Sequence, residues 1–181
     1  MTKINESIIS AGFGGQGVMV LGRFFATAGM DSGLEVTWLP SYGAEVRGGT
    51  AHSFVRMSSS HIANPVVLLA DSAVIMNEPS LDKFEHRIKP GGLLILNSSM
   101  SSRSVRRDDI DAVEVPLTEE AISLGNVRVA NIIAAGVYTG KKGIFKRALL
   151  ESVIEKMLGG RKDLISINIK ALERGMEIGR G

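Results

Sequence analysis

Ser7-Ile8-Ile9-Ser10-Ala11-Gly12-Phe13-Gly14-Gly15-Gln16-Gly17-Val18 passes from an apolar run through four glycines into a helical pattern. Ser7–Ala11 reads as a short buried strand that ends at Gly12. From Val18 to about Met30 the large apolar residues Leu21, Phe24, Phe25 and Ala28 recur at the three-and-four spacing of one helix face. A strand, a glycine loop and a helix in that order form the first half of a βαβ unit, and the rest of the chain continues the alternation. Glu35–Leu39 is a second strand stopped by Pro40, and Thr50–Met57 alternates as a third. Val66–Leu69 and Ala73–Met76 are short apolar runs, of which at least one is expected to be a central strand. Asn77-Glu78-Pro79-Ser80 has the composition of a helix start, with a helix expected to about Ile88. Pro90-Gly91-Gly92 reads as a turn, Leu93–Leu96 as a buried strand and Val113–Pro116 as one more. The last third patterns as helices over 119–124, 129–138, 146–158 and 169–178.

Short apolar strands alternating with helices predict an α/β fold. The expectation is a single Rossmann-like domain over residues 1–181, with a mostly parallel sheet flanked by helices and a helical C-terminal third. Such sheets bind ligands outside the carboxyl ends of their strands, where the Gly12–Gly17 loop falls. Composition narrows the function. With no Cys among 181 residues, the chain has no disulfide, no thiol nucleophile and no ligands for an iron–sulfur cluster. A net charge of +2 is too small to argue for nucleic acid. No run approaches the ~18 apolar residues of a membrane span, and the N-terminus has no signal-peptide apolar region, so the expected location is the cytoplasm.

Gly12, Gly14 and Gly17 satisfy G-x-G-x-x-G, and free N–H groups at a helix start favour an anion. The dinucleotide reading lacks its acidic residue, because the second strand ends Thr37-Trp38-Leu39-Pro40. The P-loop reading fails because Val18 and Met19 stand where Lys and Ser or Thr are required. What remains is a cofactor or anion site at Gly12, Gly14, Gly15, Gln16 and Gly17, or glycines that allow close packing. Gln16 is the one polar side chain in the loop, with an amide suited to a ligand carbonyl or a neighbouring subunit. A second loop, Ser41-Tyr42-Gly43-Ala44-Glu45-Val46-Arg47-Gly48-Gly49-Thr50-Ala51, joins three glycines to an aromatic residue and one charge of each sign. Tyr42, Gly43, Glu45, Arg47, Gly48 and Gly49 are its candidate interface or ligand residues, against the plainer reading of a hairpin with a surface ion pair.

These two loops, with Gly22-Arg23, Ile62–Pro65, Ala70-Asp71, Lys89-Pro90-Gly91-Gly92 and the helix around Asn131, resemble the gamma subunit of 2-oxoacid:ferredoxin oxidoreductases over essentially the whole chain. The short form of the first loop is closer to the 2-oxoglutarate and branched-chain types than to the pyruvate type. The resemblance implies a subunit of a complex that oxidatively decarboxylates a 2-oxoacid to acyl-coenzyme A. It implies thiamine diphosphate with Mg, iron–sulfur clusters and coenzyme A in the complex, and none of them resident on this chain. Its partners would be alpha and beta subunits and a ferredoxin-like delta subunit, with ferredoxin as acceptor. The gamma part would have a structural role and would help form the approach of coenzyme A. A chain that normally docks on others is expected to self-associate as a homodimer when isolated. Two other readings stay open: a free-standing nucleotide- or coenzyme A-binding domain, and the gamma domain of an indolepyruvate:ferredoxin oxidoreductase.

The remaining motifs are weaker. His52, His61 and His86 lack metal-ligand spacing, and no Gly-x-Ser-x-Gly elbow exists, so no metal or catalytic residue is expected. Arg103, Arg106 and Arg107, followed by Asp108 and Asp109, read as a solvated mixed-charge loop with phosphate contact as the alternative.

Overall fold

In the computed structural model, which describes residues 3–42 and 50–181, the first strand lies at the centre of the sheet. Ile8 and Ile9 are both fully buried and belong to separate apolar clusters on opposite faces. A strand buried on both faces needs cover on each side and a neighbour on each edge. Strand β1 (Asn5–Phe13) pairs antiparallel with β3 (Thr50–Ser58) and parallel with β4 (Ala70–Ile75). Strand β2 (Glu35–Tyr42) lies outside β3, while β5 (Ile88–Asn97) and β6 (Asp111–Val115) continue beyond β4. The order is β2-β3-β1-β4-β5-β6. Five strands run one way and β3 alone runs against them.

The larger cluster joins one face of the sheet to α1 (Val18–Asp31), α3 (Leu117–Ser123), α4 (Ala130–Lys142), α5 (Arg147–Leu158) and α6 (Lys162–Arg180). Helix α4 is its pivot, with every residue from Ala130 to Thr139 buried. Gly136 and Gly140 of α4 face Gly175 and Gly179 of α6. A Cβ on Gly140 would fall 2.7 Å from the Met176 carbonyl oxygen, and one on Gly136, Gly175 or Gly179 would meet the carbonyl of Leu172, Ile133 or Val137. The two helices therefore touch backbone to backbone, an approach that only glycine permits. Among the described residues the opposite face carries α2 (Glu78–Phe84) and the segments around Val67, Val105 and Ile110.

Of the two short apolar runs one is a central strand, as expected, and three other expectations about elements change. Val66–Leu69 is not a strand: Val67 alone turns inward, and Val66, Leu68 and Leu69 are exposed. The central strand is the neighbouring run, as β4. Helix α2 ends at Phe84 and a 3₁₀ turn covers Glu85–Arg87, because Ile88 is already paired with Ala70. The Pro90-Gly91-Gly92 turn is a bulge inside β5. The register jumps from Ala70↔Ile88 to Ser72↔Leu93, with Gly91 at φ 72° taking the left-handed bend. Helix α6 also begins seven residues before the expected start at Ile169.

Candidate functional site

The Gly12–Gly17 loop leaves the carboxyl end of β1 and opens α1, with Gly17 as N-cap at φ 75°. Its shape is set by Gln16. The side-chain Oε1 accepts hydrogen bonds from the Phe13 N–H (2.7 Å) and from Asn77 Nδ2 (2.8 Å), and Nε2 donates to the Met76 carbonyl (3.1 Å). One amide thus ties the loop to the end of β4. What it has left for a ligand or neighbour is a single N–H. Gly12 makes room for that clamp: a Cβ there would lie 2.7 Å from Gln16 Oε1 and 2.9 Å from Met76 Cβ. Gly17 makes room for Asn131, whose Nδ2 donates to the Gly17 carbonyl (3.2 Å). Gly14 and Gly15 differ, since a Cβ on either would touch nothing within 4 Å. Gly15 needs its positive φ of 102°, whereas Gly14 needs neither space nor a left-handed backbone for the fold.

The clamp belongs to a belt of neutral side chains along the carboxyl edge. Asn77 caps α2 by accepting from the Ser80 N–H (3.0 Å). Asn97, at the end of β5, donates to the Met76 carbonyl (3.3 Å) and to Thr118 Oγ1 (3.0 Å), binding β4 and the start of α3. Asn77, Asn97 and Asn131 are each at most 5% exposed. Their pairing is what makes burial of polar groups tolerable. None of them titrates in the ordinary pH range, so the belt holds its shape without regard to pH. Sequence reading found Asn77 as a helix start and Asn131 as part of a helix, but not Asn97. Nothing in local sequence says that these three positions meet.

Above the belt is a cleft of about 220 Å³ lined by Gly15, Gln16, Met76, Met100, Val127 and Arg128, with others. Met100 and Val127 are exposed, and neither α1 nor α4 carries an acidic residue in its first turn. The starts of α1 and α4 and the Arg128 guanidinium face this cleft, and α3, whose Thr118 also lines it, carries Glu119 and Glu120 in its first turn. Among the described residues its lining has the Thr118 hydroxyl and no carboxylate, histidine or lysine.

Of the second loop, Tyr42 closes β2 with 71% of its surface exposed, while Gly43, Glu45, Arg47, Gly48 and Gly49 lie outside the described residues. The dinucleotide reading meets a further obstacle here. Strand β3 stands between β1 and β2, so the end of β2 is two strand spacings, about 10 Å, from the glycine loop.

Arg103 and Arg107 are engaged within the chain. Arg103 Nη2 donates to Asp82 (2.6 Å) and Glu85 (3.0 Å), and Arg107 pairs with Asp109 (2.6 Å). Glu85 also accepts from the N–H groups of Arg106 (2.5 Å) and Arg107 (3.1 Å). Burial alone would raise the Glu85 pKa, but these hydrogen bonds outweigh it and hold the carboxyl below its usual range. The segment is a pinned strap, and these two guanidinium groups have their partners. The histidines are equally dispersed. His52 stacks edge-on to Phe54, and desolvation, then Lys83 and Arg87, lower its pKa; His61 instead contacts Glu35.

Residues 7–178 match the pyruvate ferredoxin/flavodoxin oxidoreductase family. Subunit VorA of ketoisovalerate oxidoreductase from Methanothermobacter thermautotrophicus is 36% identical over 94% of this chain, which spans 35% of that protein. Subunit KorC of 2-oxoglutarate synthase from the same organism is 32% identical over 98% of this chain and 97% of its own length. The fold matches that of 2-oxoglutarate:ferredoxin oxidoreductase from Magnetococcus marinus with a TM-score of 0.89 at 23% identity, covering 99% of this chain and 32% of that one. The chain thus spans about a third of its longer relatives and nearly the whole of the shorter one. With sheet, glycine loop and helical third all inside the matched span, the chain belongs to the pyruvate ferredoxin/flavodoxin oxidoreductase family.

Proposed function

We propose that residues 1–181 form one gamma-type domain of a 2-oxoacid:ferredoxin oxidoreductase. The complex would convert a 2-oxoacid to acyl-coenzyme A and pass electrons to ferredoxin. The observation that carries this is the family match over 7–178, joined to a Gln16 clamp that leaves Gly14 and Gly15 open to an approach from outside. In this reading thiamine diphosphate, Mg and the iron–sulfur clusters sit on alpha, beta and delta partners, and the chain has no Cys to ligate a cluster. The gamma domain supplies a rigid, pH-indifferent surface. Gly14 and Gly15 let a partner or the coenzyme approach the backbone, and the Arg128 guanidinium beside the cleft suits an anionic group of either.

2-Oxoglutarate is the favoured substrate, because KorC matches this chain from end to end. The higher identity to VorA supports a branched-chain 2-oxoacid as the second reading. The test is anaerobic purification of the complex through a tag on this chain. It is followed by coenzyme A-dependent reduction of a viologen dye with 2-oxoglutarate, 2-oxoisovalerate and pyruvate in turn. A brown complex active on one of them is the expected result. A colourless lone chain that binds a nucleotide or coenzyme A would replace this reading with a free-standing binding domain.

A further inference from the structure

The sheet is not covered equally on its two faces. On the α2 side, cover reaches β1, β4 and β5, and Phe84 of α2 packs on His52 and Phe54 of β3, but among the described residues no helix is seen over the same face of β2. Register places Thr37 opposite Arg56, Leu39 opposite Phe54 and Ser41 opposite His52 on this face. Leu39 is 40% exposed. The Arg87 guanidinium lies 4.9 Å from the Phe54 ring centroid and donates to the carbonyls of Val67 (2.5 Å) and Leu68 (3.2 Å), drawing the Val66–Leu69 segment alongside. That segment needs only Val67 for the fold, yet Val66, Leu68 and Leu69 are 54%, 76% and 48% exposed. Leu39 and the outward side chains of Val66, Leu68 and Leu69, with the half-buried Phe54 between them, thus form an exposed apolar patch among the described residues.

The charges around it are positive on balance. Among the described residues Arg56, Lys83 and Arg87 have no carboxylate within ion-pair distance, while Asp71 and Glu35 are engaged with Lys89 and with His61. A second copy of the same patch would bring these cations against each other, so the charge argues against self-association here. It favours a surface that is apolar at its centre and acidic at its rim.

We infer that the β2–β3 face and the Val66–Leu69 segment form a second docking surface, occupied in the complex by a partner subunit that presents apolar side chains rimmed by carboxylates. The inference rests on the subunit reading above and adds an interface separate from the Gly14–Gly15 edge.

The test uses the purified complex and Leu68→Asp, which alters a side chain too exposed to matter for folding, together with Lys83→Glu on the exposed side of α2. Expected are a loss of at least tenfold in affinity for the partner subunit with Leu68→Asp and a several-fold loss with Lys83→Glu. The wild-type interaction should also weaken with salt, and the amides of 64–69 should gain hydrogen-exchange protection on assembly. Unchanged melting temperatures of the variant chains would assign the losses to docking. Full assembly by both variants with no protection at 64–69 would overturn the inference and leave the subunit reading intact. No partner at all with the wild-type chain would overturn both. A homodimer of the isolated chain that Leu68→Asp dissolves would make the occupant a second copy and overturn the assignment.

Discussion

Replacing Gln16 by Ala removes the acceptor for the Phe13 N–H and for Asn77 Nδ2 and the donor to Met76 in one step. Half-buried donors left without an acceptor cost about 1–3 kcal/mol, so thermal denaturation of Gln16→Ala should show a loss of that order. Gly14→Ala is the opposite case. With room for a methyl group and no left-handed backbone to forbid it, the substitution should leave the melting temperature of the isolated chain unchanged or slightly raised. Its effect should appear only as weakened recovery of the complex, where the partner or coenzyme meets the loop. The sequence marks both positions as part of one glycine-rich motif. It does not separate the glycine that serves packing, Gly12, from the one that serves an approach from outside, because that depends on where Met76 and Gln16 end up.

At the scale of elements, the α4–α6 contact is the least forgiving part of the molecule. Gly175→Ala drives a methyl group into the Ile133 carbonyl, and flexible side chains cannot absorb the strain because both surfaces are backbone. A destabilisation of about 1–3 kcal/mol or more is expected in chemical denaturation, larger than for Gly→Ala at an exposed loop position. The four glycines stand at helical spacing in the sequence, but their pairing is invisible until α4 and α6 are known to cross there. The strands were legible as elements because their apolar runs are short and bounded, and all six overlap runs that the pattern marks. Their neighbours were less so. Alternation in Thr50–Ser58 signals a strand with unlike faces, yet nothing local says that it runs backwards between β1 and β2. Of the two apolar runs weighed for the central strand, Val66–Leu69 is the one left outside the sheet. It is apolar because of what it presents outward and not because it is buried.

For the whole molecule, acid is the informative stress. At Asp71, burial favours the neutral form, but hydrogen bonds from Lys89 (2.5 Å) and Ser7 (2.6 Å) outweigh it and lower the pKa; Glu85 behaves alike. A carboxyl whose folded pKa lies below its unfolded value stabilises the fold fully above the unfolded value, and that contribution is lost as pH falls through the folded one. The melting temperature should therefore be flat from neutrality to about pH 5 and decline below about pH 4. Glu85→Gln should start lower and decline less steeply over the same range. A decline already present between pH 7 and 5 would point instead to a histidine.

The reversed strand also bears on how the chain comes into being at the ribosome. Both neighbours of β1 are made later than β1 itself, one ending at Ser58 and the other at Ile75, with a whole helix and the edge strand synthesised in between. The glycine turn that opens α1 is completed only when Met76 and Asn77 emerge to meet Gln16. The nascent chain must therefore carry its central strand unpaired until Thr50–Ser58 has been made. Its signature loop becomes a structure only when a residue 61 positions further along has been translated.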